Sequence, residues 1–303
     1  MDKQAEDEGP EAGAASQPVR IAIIGDVHMR FTDADVAYFH RAAYDLRLLV
    51  GDVAGVRFGA SLPVARRLAA LPRPGVLIPG NHDAVTLVQL LAEVRQHERL
   101  ARWTGRGQAR RVRRLQVALG DLVMGGYSVH SYQVRGLAFD VIAARPFSQG
   151  GSWLGCRAYL RARYGVDSLA ASAALLCRRV DEAPAGTLIF LAHNGPAGLG
   201  SNHSDLWGCD FRPEGGDFGD PDLQQAVAYA QAQGKRVVAV VAGHMHHALK
   251  GGGQRAWQLT RDGVCYVNAA CVPRIQPRDG RTVHHHVCLT FDERSAAVTA
   301  QWV

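Results

Sequence analysis

No run in this 303-residue chain approaches the ~18–20 consecutive apolar residues that a membrane span needs, so no spanning helix and no membrane partner is expected. Cysteine is sparse and unclustered. Cys156, Cys177, Cys209, Cys265, Cys271 and Cys288 form no C-x-x-C pair, which argues against a cysteine metal knuckle or a disulfide framework and for small, reduced core residues. Charged residues make up only 20% of the chain, too few for a disordered polyelectrolyte, and 47% is hydrophobic, enough for a large α/β core. Excess positive charge is missing from most of the sequence. The formal net charge is +6, yet residues 95–114 alone carry eight Arg against one acid, Glu98, and the remainder is slightly acidic. Residues 1–18 lack both the apolar core and the basic start of a signal peptide. They read as a disordered acidic tail before a single domain over 19–303, and a cytoplasmic location is expected.

What is present is an alternation of buried strands and amphipathic helices. "VRIAIIGDVH" (19–28), "LRLLVGDVA" (46–54) and "GVLIPGNHD" (75–83) read as strands. Between them, Thr32 and Asp35 form a capping-box pattern for a helix over 32–44, and Ser61 and Pro63 open a helix through Leu71. Residues 84–100 place Leu87, Leu91 and Val94, with Leu90, on one apolar face. Residues 115–129 read as one or two strands, 152–182 as mainly helical around Leu169, Ala173 and Leu176. Further strands follow at 186–196 and 236–247, a helix from Pro221 to about Gln233, and β segments at 255–260, 263–269, 283–291 and 297–302. A β-α-β-α-β-α start predicts a parallel sheet covered by helices.

Five of these strands stop in the same manner. They end on Asp26 and His28, on Asp52, on Asn81-His82-Asp83, on His193, and on His244 and His246. In an α/β sheet, ligands bind beyond the carboxyl ends of the strands, so residues far apart in sequence converge there. Asp26/His28 and His244/His246 are i, i+2 pairs, which on a strand point the same way. Carboxylate, imidazole and amide oxygen suit divalent first-row metals. Seven of these nine residues would already exceed one ion's needs and suit two metals sharing a carboxylate, which lower the pKa of a bridging water for in-line attack on phosphorus.

The ordered series D-x-H (Asp26, His28), G-D (Gly51, Asp52), G-N-H-D (Gly80 to Asp83), His193 and G-H-x-H (Gly243 to His246) resembles the calcineurin-like metallophosphoesterase superfamily. The resemblance spans residues 19–247. It implies a two-sheet β-sandwich flanked by helices, and two metal ions, with Mn, Fe and Zn all acceptable. Asp26, His28 and His246 would hold one metal, Asn81, His193 and His244 the other, and Asp52 would bridge. A hydroxide bridging the two metals would be the nucleophile. His82 would protonate the leaving oxygen or stabilise its charge, and Asp83 would orient His82 through a ring nitrogen. Three departures narrow the branch. "GDVAGV" lacks the Arg that phosphoprotein phosphatases carry after the second motif, and those enzymes end the third motif in Glu where Asp83 stands. Met29 replaces the Gly usual in diadenosine-polyphosphate hydrolases. "AHNGP" followed by "GLGSNHSDLWG" is similar to a bacterial or plastid-lineage group.

The Gly-rich loop 198–220 follows His193 directly, and Asn202, His203 and Asp205 are its candidates for substrate contact. The same residues also suit local turns. The Arg-rich segment 95–114 steers anionic substrates or binds nucleic acid, or is a solvated helix face. His284, His285 and His286 alternate across a strand and make a poor chelate, which favours a structural role. The leading expectation is a phosphomonoesterase or phosphodiesterase acting on a small phosphorylated substrate. A nuclease using the Arg segment is the alternative, and a non-catalytic scaffold of the same fold is the reading without chemistry.

Overall fold

Alternation within "VRIAII" decides the layers. On β1 (Val19–Ile24), Ile21 and Ile23 face one apolar cluster while Ala22 and Ile24 face another. A strand buried on both faces belongs in a sheet covered on both sides. The computed structural model describes residues 17–55 and 58–303. The tail expected over 1–18 lies outside them except for Gln17 and Pro18, which are exposed.

The chain continues through α1 (Asp33–Arg41), β2 (Leu46–Leu49), α2 (Phe58–Leu68), β3 (Gly75–Leu77), α3 (Leu87–Val94), α4 (Glu98–Thr104), α5 (Gln108–Leu119), β4 (Val123–Met124), β5 (Ser128–Val134) and β6 (Leu137–Ala143). Then come α6 (Arg157–Tyr164), α7 (Leu169–Glu182), β7 (Thr187–Leu191), α8 (Pro221–Ala232), β8 (Arg236–Ala242), β9 (Gln258–Arg261), β10 (Val264–Asn268), β11 (Ile275–Arg278), β12 (Arg281–Phe291) and β13 (Ala296–Trp302). One sheet runs β11-β12-β1-β2-β3-β4, with β13 paired to β12, and the other β5-β6-β7-β8-β10-β9. The β1-β2-β3 and β6-β7-β8-β10 pairings are parallel. The larger cluster joins the inner faces of both sheets to Leu176 and Val180 of α7 and Leu223 and Ala226 of α8. The second lies under Phe39 of α1, Val64 and Leu68 of α2, and Leu115 and Leu119 of α5. This is the helix-flanked, two-sheet α/β sandwich that the motif series implies.

Local expectations fare unevenly. The Thr32 N–H donates to the Asp35 carboxylate at 2.8 Å, closing the capping box. Pro221 takes the first helical position behind Asp220. Pro63, in contrast, does not open its helix but sits inside it as the sixth residue, where it has no N–H to give to the preceding turn. Residues 115–119 are helix, not strand, because Val112, Leu115 and Leu119 recur at helical spacing and are buried together. The largest correction concerns 84–100. Two helices occupy it, and the expected apolar face points outward: Leu87, Leu91 and Val94 are 48%, 45% and 55% exposed. Gln89, Ala92 and Glu93 are buried instead. All six cysteines are free, four of them buried. Among the described residues no helix is long and apolar enough to cross a membrane.

The late histidines sit as strand alternation requires. His284 Nδ1 lies 2.8 Å from Asp35 and His286 Nε2 lies 2.7 Å from the Tyr44 hydroxyl, whereas His285 packs on Trp302 across the sheet.

Candidate metal centre

Every strand that carries a motif stops short of it, so the polar residues stand on loops just past β1, β2, β3, β7 and β8. Those loops are tightly bent. His28, Asp52 and His244 have φ of 39°, 46° and 70°, a left-handed conformation that costs a non-glycine residue of order 1–3 kcal/mol. The backbone of Asp26/His28 and His244/His246 is therefore not strand-like as expected, although Asp26 and His28 do reach one group. Positive φ at His28 and His244 turns the side chains individually, and His244 and His246 join different groups.

Two clusters result. Ligand-type atoms of Asp26, His28 and His246 all lie within 4.8 Å of one another, as do those of Asp52, His193 and His244. Asn81 Oδ1 stands 2.9 Å from His193 Nε2 and 3.1 Å from His244 Nδ1, adding an amide oxygen to the second cluster. Asp52 lies between them. Its Oδ2 faces His28 Nε2 and its Oδ1 faces His193 Nε2, each at 3.6 Å.

The donor set fits metal ions. Two ligands about 2.1 Å from one cation at a right angle stand about 3.0 Å apart, and His28 Nε2 and His246 Nε2 are 3.1 Å apart. His193 Nδ1–H donates to the Val50 carbonyl at 2.7 Å, which leaves the Nε2 lone pair free to ligate. Burial depresses His28 and His193, and with the adjacent His193 it takes His244 well below the ordinary imidazole range. Burial and His28 take His246 down to about 4. These imidazoles are neutral at physiological pH, as ligation requires. Burial and the Asp52 charge push Asp26 well above the carboxylate range. Burial pushes Asp52 upward too, but at acid pH the charged forms of His193, His82 and His28 attract the carboxylate and hold it low. A cation at either cluster would relieve the repulsion among Asp26, Asp52 and Asp83.

Two glycines are fixed by this crowding. A Cβ at Gly80 would overlap the Asp52 carboxylate and come within 2.6 Å of the His193 ring, and one at Gly243 would overlap the Asp26 carboxylate. Gly80 serves close approach.

His82 is half-buried and lines a cleft of about 400 Å³ together with Asp52, Asn81, His244 and His246. Its backbone N–H donates to Asp52 Oδ1 at 2.9 Å. Asp83 does not orient the His82 ring. It turns inward and accepts the N–H groups of Gly80 at 2.9 Å and Ala54 at 3.0 Å, stitching two ligand loops together. Burial and Asp52 raise its pKa to about 7.

The loop candidates are placed elsewhere. His203 Nδ1 meets the Cys209 carbonyl at 2.9 Å, Asp205 accepts the Asn202 N–H at 2.8 Å, and Arg255 donates to the carbonyls of His203 and Asp205. None of the three lines the cleft. The same loop reaches it through Asp210, Phe211, Arg212 and Phe218, joined by Val94, Trp153 and Lys250. Arg212 stands over Phe218 at 5.3 Å and Lys250 over Phe211 at 5.5 Å. Sequence reasoning passed over these; the signal was "CDFRP", an aromatic flanked by opposite charges in a glycine-rich loop.

No curated protein matches the chain in sequence. Among solved structures, TT1561 of Thermus thermophilus superposes with a TM-score of 0.50 at 12% identity, over 93% of this chain and 98% of that one. Phosphopantetheinyl Hydrolase (PptH) from Mycobacterium tuberculosis gives 0.45 at 14% identity over 84% and 89%. Haemophilus influenzae NAD nucleotidase (NadN) gives 0.47 at 12% over 94% and 49%. The sequence itself is more telling than these distant likenesses: a family model for calcineurin-like phosphoesterases matches residues 19–248, the span from the first strand past the last candidate ligand, and the chain belongs to that family.

Proposed function

We propose that this protein is a metal-dependent phosphoesterase that hydrolyses a small phosphorylated substrate in the cytoplasm. The observation that carries the reading is Asp52, whose two oxygens each face one of two separate ligand clusters. A carboxylate so placed would join two ions. Asp26, His28 and His246 would hold one and Asn81, His193 and His244 the other; Mn, Fe and Zn all accept this O,N donor set. When bound, such a pair supplies Lewis-acid polarisation of a phosphoryl oxygen and a water acidified toward neutrality.

The protein's own groups supply the rest. The cleft admits the phosphoryl group beside Asn81 and His246. His82 projects into the same cleft and touches His28 edge-on, with ring centroids 5.4 Å apart, where its ring can give a proton to the departing oxygen. Arg212 and Lys250 add positive charge at the mouth, which draws anions in. Buried Asp83 holds the loops of Asp52 and His82 in register. Six free cysteines, four of them buried, support the cytoplasmic part of the reading.

The test is hydrolysis of p-nitrophenyl phosphate and bis-p-nitrophenyl phosphate by Mn²⁺-reloaded protein, beside a chelated sample and Asp52→Asn. Turnover in the reloaded protein alone is expected, and the preferred ester distinguishes monoesterase from diesterase. Folded protein that neither retains metal nor turns over either ester would leave the scaffold reading.

A further inference from the structure

A second cavity, of about 500 Å³, opens between α4 and α6, and the buried Gln89 and Glu93 of α3 form part of its wall. Arg99 and Arg102 of α4 face Arg157 and Arg161 of α6 around it. Glu93 and Trp153 line both this cavity and the metal cleft, so the two spaces are neighbours.

The charge there is not internally compensated. Two acids line the cavity. Glu98 is paired with Arg157 at 3.2 Å. The Glu93 oxygens take the Trp153 indole N–H at 3.3 Å and the Cys156 N–H at 3.1 Å, and burial raises its pKa, which weakens it as a counter-ion. Among the ion pairs of the described residues none engages Arg99, Arg102 or Arg161. The floor is neutral and already satisfied. Gln89 donates to Gln108 at 2.8 Å, Gln108 to the Cys156 sulfur at 3.1 Å, and Arg111 to Gln89 at 2.7 Å. Burial raises the Cys156 thiol pKa, so it adds no charge. A rigid neutral floor under guanidinium groups from two helices suits a tetrahedral oxyanion, which Arg binds through paired N–H donors.

Resting on the phosphoesterase reading above, we infer that this arginine-lined cavity holds a second phosphate of the substrate, whose scissile phosphate lies in the adjoining metal cleft. The substrate class is then an extended organic phosphoester with at least two phosphates, its linking portion passing over Trp153. A singly phosphorylated metabolite would leave the cavity unused.

Three chromogenic esters test this with one leaving group: the p-nitrophenyl ester of thymidine 5′-phosphate with a 3′-hydroxyl, with a 3′-phosphate, and with a 3′-phosphorylated thymidylyl extension. In the Mn²⁺-loaded protein kcat/KM should rise at least tenfold as phosphates are added, through KM. Arg102→Glu, Arg161→Glu and the milder Arg102→Gln should lose that gain while keeping their turnover of bis-p-nitrophenyl phosphate. Calorimetric titration with thymidine 3′,5′-bisphosphate supplies a readout independent of turnover, with binding at least tenfold weaker in Arg102→Glu. Equal kcat/KM across the series with unaltered bisphosphate binding in the variants overturns the inference, even where bis-p-nitrophenyl phosphate is cleaved. So does bisphosphate that raises turnover instead of competing, since that marks a separate regulatory site. Arginine-dependent binding with no ester cleaved keeps the anion site and sinks the phosphoesterase reading.

Discussion

At the scale of single residues, the two neighbours His82 and Asp83 separate chemistry from scaffolding. His82 belongs to neither ligand cluster yet lines the cleft. His82→Gln should keep its metal and its melting temperature and lose about 10²–10⁴ in kcat, as expected for an acid that acts on the leaving group. Asp83 is wholly buried on two backbone N–H groups. Asp83→Asn leaves one of those donors facing an amide N–H, so it should lower stability by about 1–3 kcal/mol while any surviving turnover keeps the wild-type pH profile. A shifted profile with unchanged stability would restore Asp83 as the partner of His82. Both residues were visible in the sequence because strand ends seldom gather so much ionisable chemistry. Their division of labour was not, since "GNHD" does not say which way each side chain turns.

At the scale of elements, legibility depended on which face the tertiary structure uses. Strands β1, β2, β3, β7 and β8 could be read because burial on both faces leaves an unbroken apolar run, whereas β6, β11 and most of β5 went unread. Helix α5 could not, because its arginines disguise the i, i+3, i+7 spacing of Val112, Leu115 and Leu119. Helix α3 misleads in the opposite direction: its apolar stripe is exposed, and its polar residues line the arginine cavity. Paired substitutions distinguish the two helices. Leu91→Ser, on α3, should change unfolding free energy by less than about 0.5 kcal/mol, whereas Leu115→Ala, on α5, should cost about 2–5 kcal/mol. Urea unfolding of the two variants checks this, and a large loss from Leu91→Ser would mean that α3 packs with its apolar face inward after all.

At the scale of the whole molecule, β12 lies between β11 and β1 and carries a buried histidine under α1. His286 sits against Tyr38, Phe39 and Tyr44, and burial, helped by Arg274, lowers its pKa to about 3. An unfolded histidine titrates near ~6.5, so between those values the folded state binds fewer protons than the unfolded one. The stability this group contributes is therefore complete above pH ~6.5 and is lost as pH falls toward 3. By linkage the loss is about 2 kcal/mol at pH 5 relative to pH 7. Asp83, whose pKa is raised to about 7, acts in the reverse sense over the same range, so the wild-type curve alone does not isolate the histidine. His286→Leu does. It gives up the Tyr44 hydroxyl's partner at every pH, and it removes the titration. The difference in unfolding free energy between wild type and variant should shrink by about 2 kcal/mol from pH 7 to pH 5. A constant difference across that range would mean that His286 takes up its proton without unfolding the sheet, and that the space between β12 and α1 is wetter than its packing shows.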